Sequence, residues 1–367
     1  MASPPYAASM KVLSHSERQP LRGTGRTKDV PGFDPLTGSL AFISNLSMRA
    51  GSAREPVTRE LSGPNRHETL MTVDSKGLVM RATHYRYADI DEQQLFCREA
   101  GPADAPALVL LHGFPTSSYM FRDLIPLLAD RYHVIAPDHL GFGLSGAPPA
   151  GEFTCTFDAL VGLTAGLLSQ LGVTRYAMYV QDYGAPVGWR LALANPAAVT
   201  SIVTQNGNGY EAGFTEGFWK PVREYWHDPS PQAEAALRQA LTLEAIRWQY
   251  LHGVPDETVV SPDTWYHDYA LVSRPGNDLV QLALFADYDS NLPLYPRLHA
   301  YLRDSRVPLL AVWGANDEIF GPDGARAFAA DAPGAEIQLL DGGHFLLESH
   351  LDAAVGTIRR FLERAVS

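Results

Sequence analysis

From residue 107 onward, short continuous apolar runs alternate with segments of helical period. Ala107–Leu111, Tyr132–Ala136, Tyr176–Val180, Ser201–Gln205, Val307–Trp313 and Glu336–Leu340 read as strands. Between them, Ser117 or Ser118 can cap a helix carrying Phe121, Leu124, Leu127 and Leu128. Thr156–Leu171 keeps Leu160, Leu163, Leu167, Leu168 and Leu171 on one face and ends at Gly172. Tyr183–Ala194 and Glu348–Arg364 are further helices. Strands apolar on both sides must be covered on both faces, so the pattern implies an α/β protein with a mostly parallel sheet between helical layers. An antiparallel pair, His84–Ala88 with Gln94–Glu99 across a turn at Asp89–Gln93, precedes it.

Two stretches stand outside that alternation. The first 75 residues hold nine basic and seven acidic side chains, with much Ser, Gly and Pro and no sustained period. Residues 1–81 therefore read as a largely disordered extension. Residues 207–303 interrupt the sheet and hold 15 of the 37 aromatics, including Trp219, Trp226, Trp248 and Trp265. They read as a helical cap inserted into a core built from 82–206 and 304–367. Aromatics beside a strand end suit an apolar pocket wall, although most must pack the cap itself.

Composition narrows the partners. A net charge of -12 gives no purchase on a phosphate backbone, so nucleic acid is not an expected partner. Cys97 and Cys155 are too few for a disulfide framework or a Cys-rich zinc site. No apolar run has transmembrane length, and the start lacks a signal-peptide core. A cytoplasmic protein is expected, without cofactor or metal; oligomeric state is not legible.

The chemistry sits at strand ends. Val180-Gln181-Asp182-Tyr183-Gly184 lies between a strand and a helix, where a nucleophile elbow would be. Alone, Asp182 reads as a helix N-cap. Three further strand-end features change that reading. His112-Gly113-Phe114-Pro115 follows one strand, Trp313-Gly314-Ala315-Asn316-Asp317 another, and Asp341-Gly342-Gly343-His344-Phe345 the last. The order is nucleophile, acid, histidine. Glu318 rivals Asp317 as the acid, His112 is assigned to loop structure, and His350 lies in the following helix.

These residues, with Asp138-His139-Leu140-Gly141-Phe142-Gly143-Leu144-Ser145, resemble the α/β-hydrolase superfamily, in its epoxide hydrolase and haloalkane dehalogenase branch. The resemblance spans about residues 82 to 365. Val180 departs from the family's Gly-first elbow. An aspartate is already anionic at neutral pH and suits displacement at an sp³ carbon. The resemblance implies an alkyl ester on Asp182, hydrolysed by water that His344, oriented by Asp317, activates. The backbone N–H groups of Phe114 and Tyr183 would hold the oxyanion.

The leaving group separates epoxide opening, to a vicinal diol, from dehalogenation by the same triad. Halide-binding relatives place Trp after the nucleophile and Asn in the His-Gly-x-Pro loop; here Tyr183 and Phe114 stand there. Haloacetate dehalogenases follow their Asp with Arg. An epoxide hydrolase is therefore expected, with paired cap tyrosines as the acid, and a non-catalytic small-molecule receptor is the alternative of another class. By position Tyr288 and Tyr225 are the candidates, with Tyr266 and Tyr269 as rivals. A small apolar or aromatic substrate and water are the expected partners.

Overall fold

The structure, a computed structural model, describes residues 72–73, 79–80, 82–149 and 151–365. The disorder expected for residues 1–81 falls almost wholly outside those residues; Thr72–Val73 pairs antiparallel with Val79–Met80.

The described residues from 82 onward form one eight-stranded sheet. Its strands are β1 (His84–Ile90), β2 (Gln93–Ala100), β3 (Ala107–Leu111), β4 (His133–Pro137), β5 (Tyr176–Gln181), β6 (Val199–Gln205), β7 (Leu309–Gly314) and β8 (Glu336–Leu340). Their spatial order is β8-β7-β6-β5-β3-β4-β2-β1. The β1–β2 and β2–β4 pairs are antiparallel and all others parallel. The alternation in the sequence is thus the doubly covered sheet it implied. β4, β5 and β7 are buried along their whole length, which is why they read as unbroken apolar runs.

The order reverses between β3 and its two neighbours, β4 on one side and β5 on the other. A crevice opens outside the carboxyl ends of strands at such a reversal. Helix α1 (Leu124–Leu128) follows a 3₁₀ turn, Ser118–Phe121, whose N-cap Ser117 accepts from the Tyr119 N–H. The single expected helix here is therefore two short pieces. Helix α2 (Phe157–Gln170) is capped by the Thr156 hydroxyl on the Ala159 N–H. Helix α3 (Gly184–Ala194) starts immediately after Asp182 and Tyr183.

Six helices lie between β6 and β7: α4 (Glu216–His227), α5 (Pro231–Leu237), α6 (Leu243–Leu251), α7 (Pro262–Val272), α8 (Asn277–Asp287) and α9 (Tyr295–Ser305). Helix α5 passes at Leu237 into a 3₁₀ turn, Arg238–Leu241, and the Thr242 hydroxyl caps α6 through the Ala245 N–H. Polar contacts tie this insertion to the sheet region. Gln281 donates to the Gly141 carbonyl at 3.1 Å, and the Phe157 N–H donates to Asp287 at 2.7 Å. Arg190 of α3 donates to Asp158, Ser290 and Asn291, clamping the segment after α8. Helix α10 (Pro322–Asp331) joins β7 to β8, and α11 (Leu346–Ala365) closes the chain with non-helical dihedrals at His350. Among the described residues no helix is long and apolar enough to cross a membrane.

Candidate active site

Asp182 occupies the turn between β5 and α3 with φ at 47°, in the left-handed region that a non-glycine residue seldom adopts. Strain of this kind holds a side chain clear of both the strand and the helix. Two glycines make the turn possible. A Cβ on Gly184 would stand 2.0 Å from the Leu111 carbonyl oxygen, so α3 can start this close to β3 only without one. A Cβ on Gly188 would stand 2.5 Å from Val180 Cγ1. The room needed by Val180, where the elbow pattern has Gly, is thus provided one turn into the helix.

The two oxygens of Asp182 differ. Oδ1 accepts the Phe114 N–H at 2.7 Å and the Tyr183 N–H at 2.6 Å. Oδ2 accepts no hydrogen bond among the described residues and lies 3.9 Å from His344 Nε2. Burial pushes the Asp182 carboxyl up to about 6, against the pull of His344 and of those two N–H groups. The carboxylate is therefore ionised at neutral pH, one oxygen held and the other free.

His344 faces Asp317 through Nδ1, 2.9 Å from Oδ2. Burial pushes its pKa down, but the charge and hydrogen bond of Asp317, with Asp182 beyond, outweigh that and set it above the usual imidazole value. Asp317 is itself held: Asn206 Nδ2 donates to Oδ2 at 2.7 Å and the Ile319 N–H to Oδ1 at 2.7 Å. Asn206 also accepts the Gly314 N–H at 3.0 Å, joining the ends of β6 and β7. Glu318, the rival acid, turns outward to His252 at 3.1 Å. Gln181, the last residue of β5, places Nε2 2.9 Å from His344 Nε2. An amide nitrogen on Nε2 fits a neutral ring with its proton on Nδ1, whereas the raised pKa favours the imidazolium, which would need the amide oxygen there.

His112 stays within its loop. Its Nδ1 donates to the Gly113 carbonyl and its Nε2 accepts the His139 N–H, both at 2.9 Å, and burial pushes its pKa down to about 4. His350 lies at the dihedral break of α11 and meets Ser349.

Tyr288 is fully buried, with its ring 5.7 Å from that of Tyr183 and in contact with Phe157, Phe214, Trp219 and Trp226. Its hydroxyl faces that of Tyr295, which also meets Asn208, although none of these contacts has standard hydrogen-bond geometry. Burial holds both phenols above the usual value, and so protonated. Tyr225 is half-buried on α4 and shares no ring contact with Tyr288; Trp219 and Trp226 present that helix to the site instead. Tyr266 is exposed and Tyr269 half-buried on α7. The sequence reading did not single out Gln181 as a site residue, nor Tyr295, Trp219 or Trp226. Only Gln181 carried a signal, as the neighbour of the elbow Asp.

Four indole N–H groups donate to carbonyl oxygens. Trp219 donates to Ile319, Trp226 to Phe285, Trp189 to Asn208 and Trp313 to Phe320, each at 2.8 Å. Among the described residues no three His, Cys, Asp or Glu side chains gather to hold a metal ion.

Residues 106–351 match the family model described as alpha/beta hydrolase fold. The uncharacterized hydrolase YNR064C of Saccharomyces cerevisiae is 46% identical over 266 residues, 72% of this chain and 91% of its own length. A haloalkane dehalogenase of Bradyrhizobium diazoefficiens is 29% identical over 304 residues, 73% of this chain and 90% of its own. The solved structure of the epoxide hydrolase CorEH superposes with a TM-score of 0.63 at 22% identity, covering 77% of this chain and 99% of that one. At that identity the last likeness speaks for the fold.

Proposed function

We propose that this chain, which belongs to the α/β-hydrolase fold family, adds water to an epoxide through an ester on Asp182. Asp182 Oδ2, the free oxygen, attacks an epoxide carbon; that C–O bond breaks and the electron pair goes to the departing oxygen. Tyr288 gives the alkoxide its proton, Tyr295 supports the resulting phenolate, and the proton is recovered from solvent. Water then attacks Cγ of the ester as His344 Nε2 takes its proton. The oxyanion forms on Oδ1, already held by two N–H groups; removing one such donor typically costs about 100-fold. Collapse expels the diol oxygen, which takes the proton from His344; the second proton of the water, left on the Asp182 carboxyl, goes to solvent, balances the one that restored Tyr288, and leaves Asp182 a carboxylate. The insertion α4–α9 serves as the cap.

The observation that carries the reading is the buried Tyr288 hydroxyl, facing that of Tyr295, on a ring packed beside Tyr183. A protonated phenol can donate to an alkoxide, a far stronger base than phenolate. Halide departure needs free N–H donors, and the indoles of Trp219 and Trp226, whose rings meet Tyr288, are committed to carbonyls. The haloalkane dehalogenase relative favours the second reading, carbon–halogen hydrolysis on the same carboxylate.

The His344→Gln variant separates them. It should form the ester and fail to hydrolyse it. Intact-protein mass after incubation with styrene oxide should show addition of the whole epoxide, mapped to Asp182. An adduct from 1-bromobutane less hydrogen bromide, with none from epoxides, moves the chain to dehalogenation. No adduct across a broad panel on folded protein leaves the small-molecule receptor.

A further inference from the structure

The atom of His344 that must receive a proton from water is Nε2, and Gln181 already meets it. The Gln181 side chain is fully buried, with Nε2 2.9 Å from the ring nitrogen and Oε1 without a hydrogen-bond partner. An amide buried with one half satisfied and the other bare is costly, of order 1–3 kcal/mol, and such a group in a native interior calls for an explanation. Turning the amide over exchanges the two atoms. In the observed orientation, the N–H of Gln181 ties up the lone pair that makes His344 a base. Turned, Oε1 faces Nε2, where it can accept from the imidazolium or from a water between them.

We propose that Gln181 is a positioning residue for ester hydrolysis: its amide holds His344 as a neutral acceptor until Asp182 is alkylated, then turns to orient the attacking water with Oε1. This rests on the ester reading above. In the step itself, water carries two protons. One passes to His344 Nε2 as the water oxygen bonds to Asp182 Cγ; the other stays on that oxygen, hydrogen-bonded to Gln181 Oε1. No electrons are exchanged. The proton on Nε2 returns to the leaving alkoxide, and the amide returns to the ring. Gln181 is suited to this because it is next to Asp182 in the chain, so the elbow that aims the nucleophile also aims the amide.

The groups that set the charge on His344 are few. Asp182 and Asp317 face it directly. Glu318 and His252 line the small cleft that Trp248, Gln249 and Ile319 complete beside it. Tyr288 stands beyond Asp182. A carboxylate in place of the Gln181 amide would add an anion at hydrogen-bonding distance and hold the ring as imidazolium.

Single-turnover measurement of ester formation and decay with styrene oxide tests the proposal on two variants of nearly equal volume. In Gln181→Met the ratio of ester hydrolysis to ester formation should fall by about 10-fold or more. In Gln181→Glu the pH limb of hydrolysis should move upward by about one unit or more, since a near anion raises an imidazole pKa. A ratio within about threefold of the parent together with an unmoved limb overturns it. Should the Met variant fail to fold, the limb in the Glu variant decides. If ester forms on His344→Gln while both Gln181 variants behave as the parent, only this inference fails. If no ester forms in any background, the ester reading fails with it.

Discussion

At the scale of single residues, the site is organised by unequal treatment of equivalent atoms. Oδ1 of Asp182 has two N–H partners and Oδ2 has none. Nδ1 of His344 has a carboxylate and Nε2 an amide. Such an arrangement sacrifices stability for function. Asp182 has a folded pKa of about 6, above its value in an unfolded chain. The folded state therefore holds the proton more tightly between about pH 4 and pH 6, and stability falls as pH rises through that window. Above it the full penalty remains, of order 3 kcal/mol for about two units. Asp182→Asn should thus melt about 6 °C higher than the parent at pH 8. The difference should vanish near pH 4. Equal melting temperatures at both pH values would show that the buried charge is compensated elsewhere.

At the scale of elements, boundaries are where local chemistry overrode periodicity. The β1–β2 connection reads as a five-residue polar turn, Asp89–Gln93, yet only Asp91 and Glu92 lie between the strands. Both have positive φ, 47° and 64°, as a two-residue hairpin turn of the right twist demands. Glycine accepts that conformation without the steric penalty that Glu92 bears. Glu92→Gly should therefore stabilise the fold by about 0.5–1 kcal/mol, visible as a higher urea midpoint with an unchanged slope. A lower midpoint would mean that the Glu92 side chain contributes more than its backbone costs. Thr242 is a second case: it closes the 3₁₀ turn Arg238–Leu241, and its hydroxyl starts α6.

At the scale of the whole molecule, what was legible followed from repetition. Six apolar strands with helices between them specify a covered parallel sheet, and three strand-end motifs in order bring Asp182, Asp317 and His344 together. The service of Asn206 to Asp317 and Gly314 depends on where two strands end side by side, which spacing along the chain does not announce. The insertion was less legible because aromatic helices have no fixed register against a core. Tyr288 lies against the elbow and Tyr225 does not, since Trp219 and Trp226 take the inward positions of α4. Nothing in the spacing of α4 announces which of its rings faces in.

The difference between the two Asp182 oxygens gives the proposed cycle a memory. The oxygen that bonds to the substrate is Oδ2, and it leaves inside the diol. In ¹⁸O-enriched water the first turnover should therefore yield unlabelled diol and place the isotope in the protein. The atom that replaces Oδ2 arrives on the side facing His344, while Oδ1 stays clamped by Phe114 and Tyr183. A carboxylate that cannot spin between turnovers hands the isotope on almost completely in the second diol; one that spins freely hands on about half. The isotopic content of successive products thus reads out how firmly two backbone N–H groups hold one side chain.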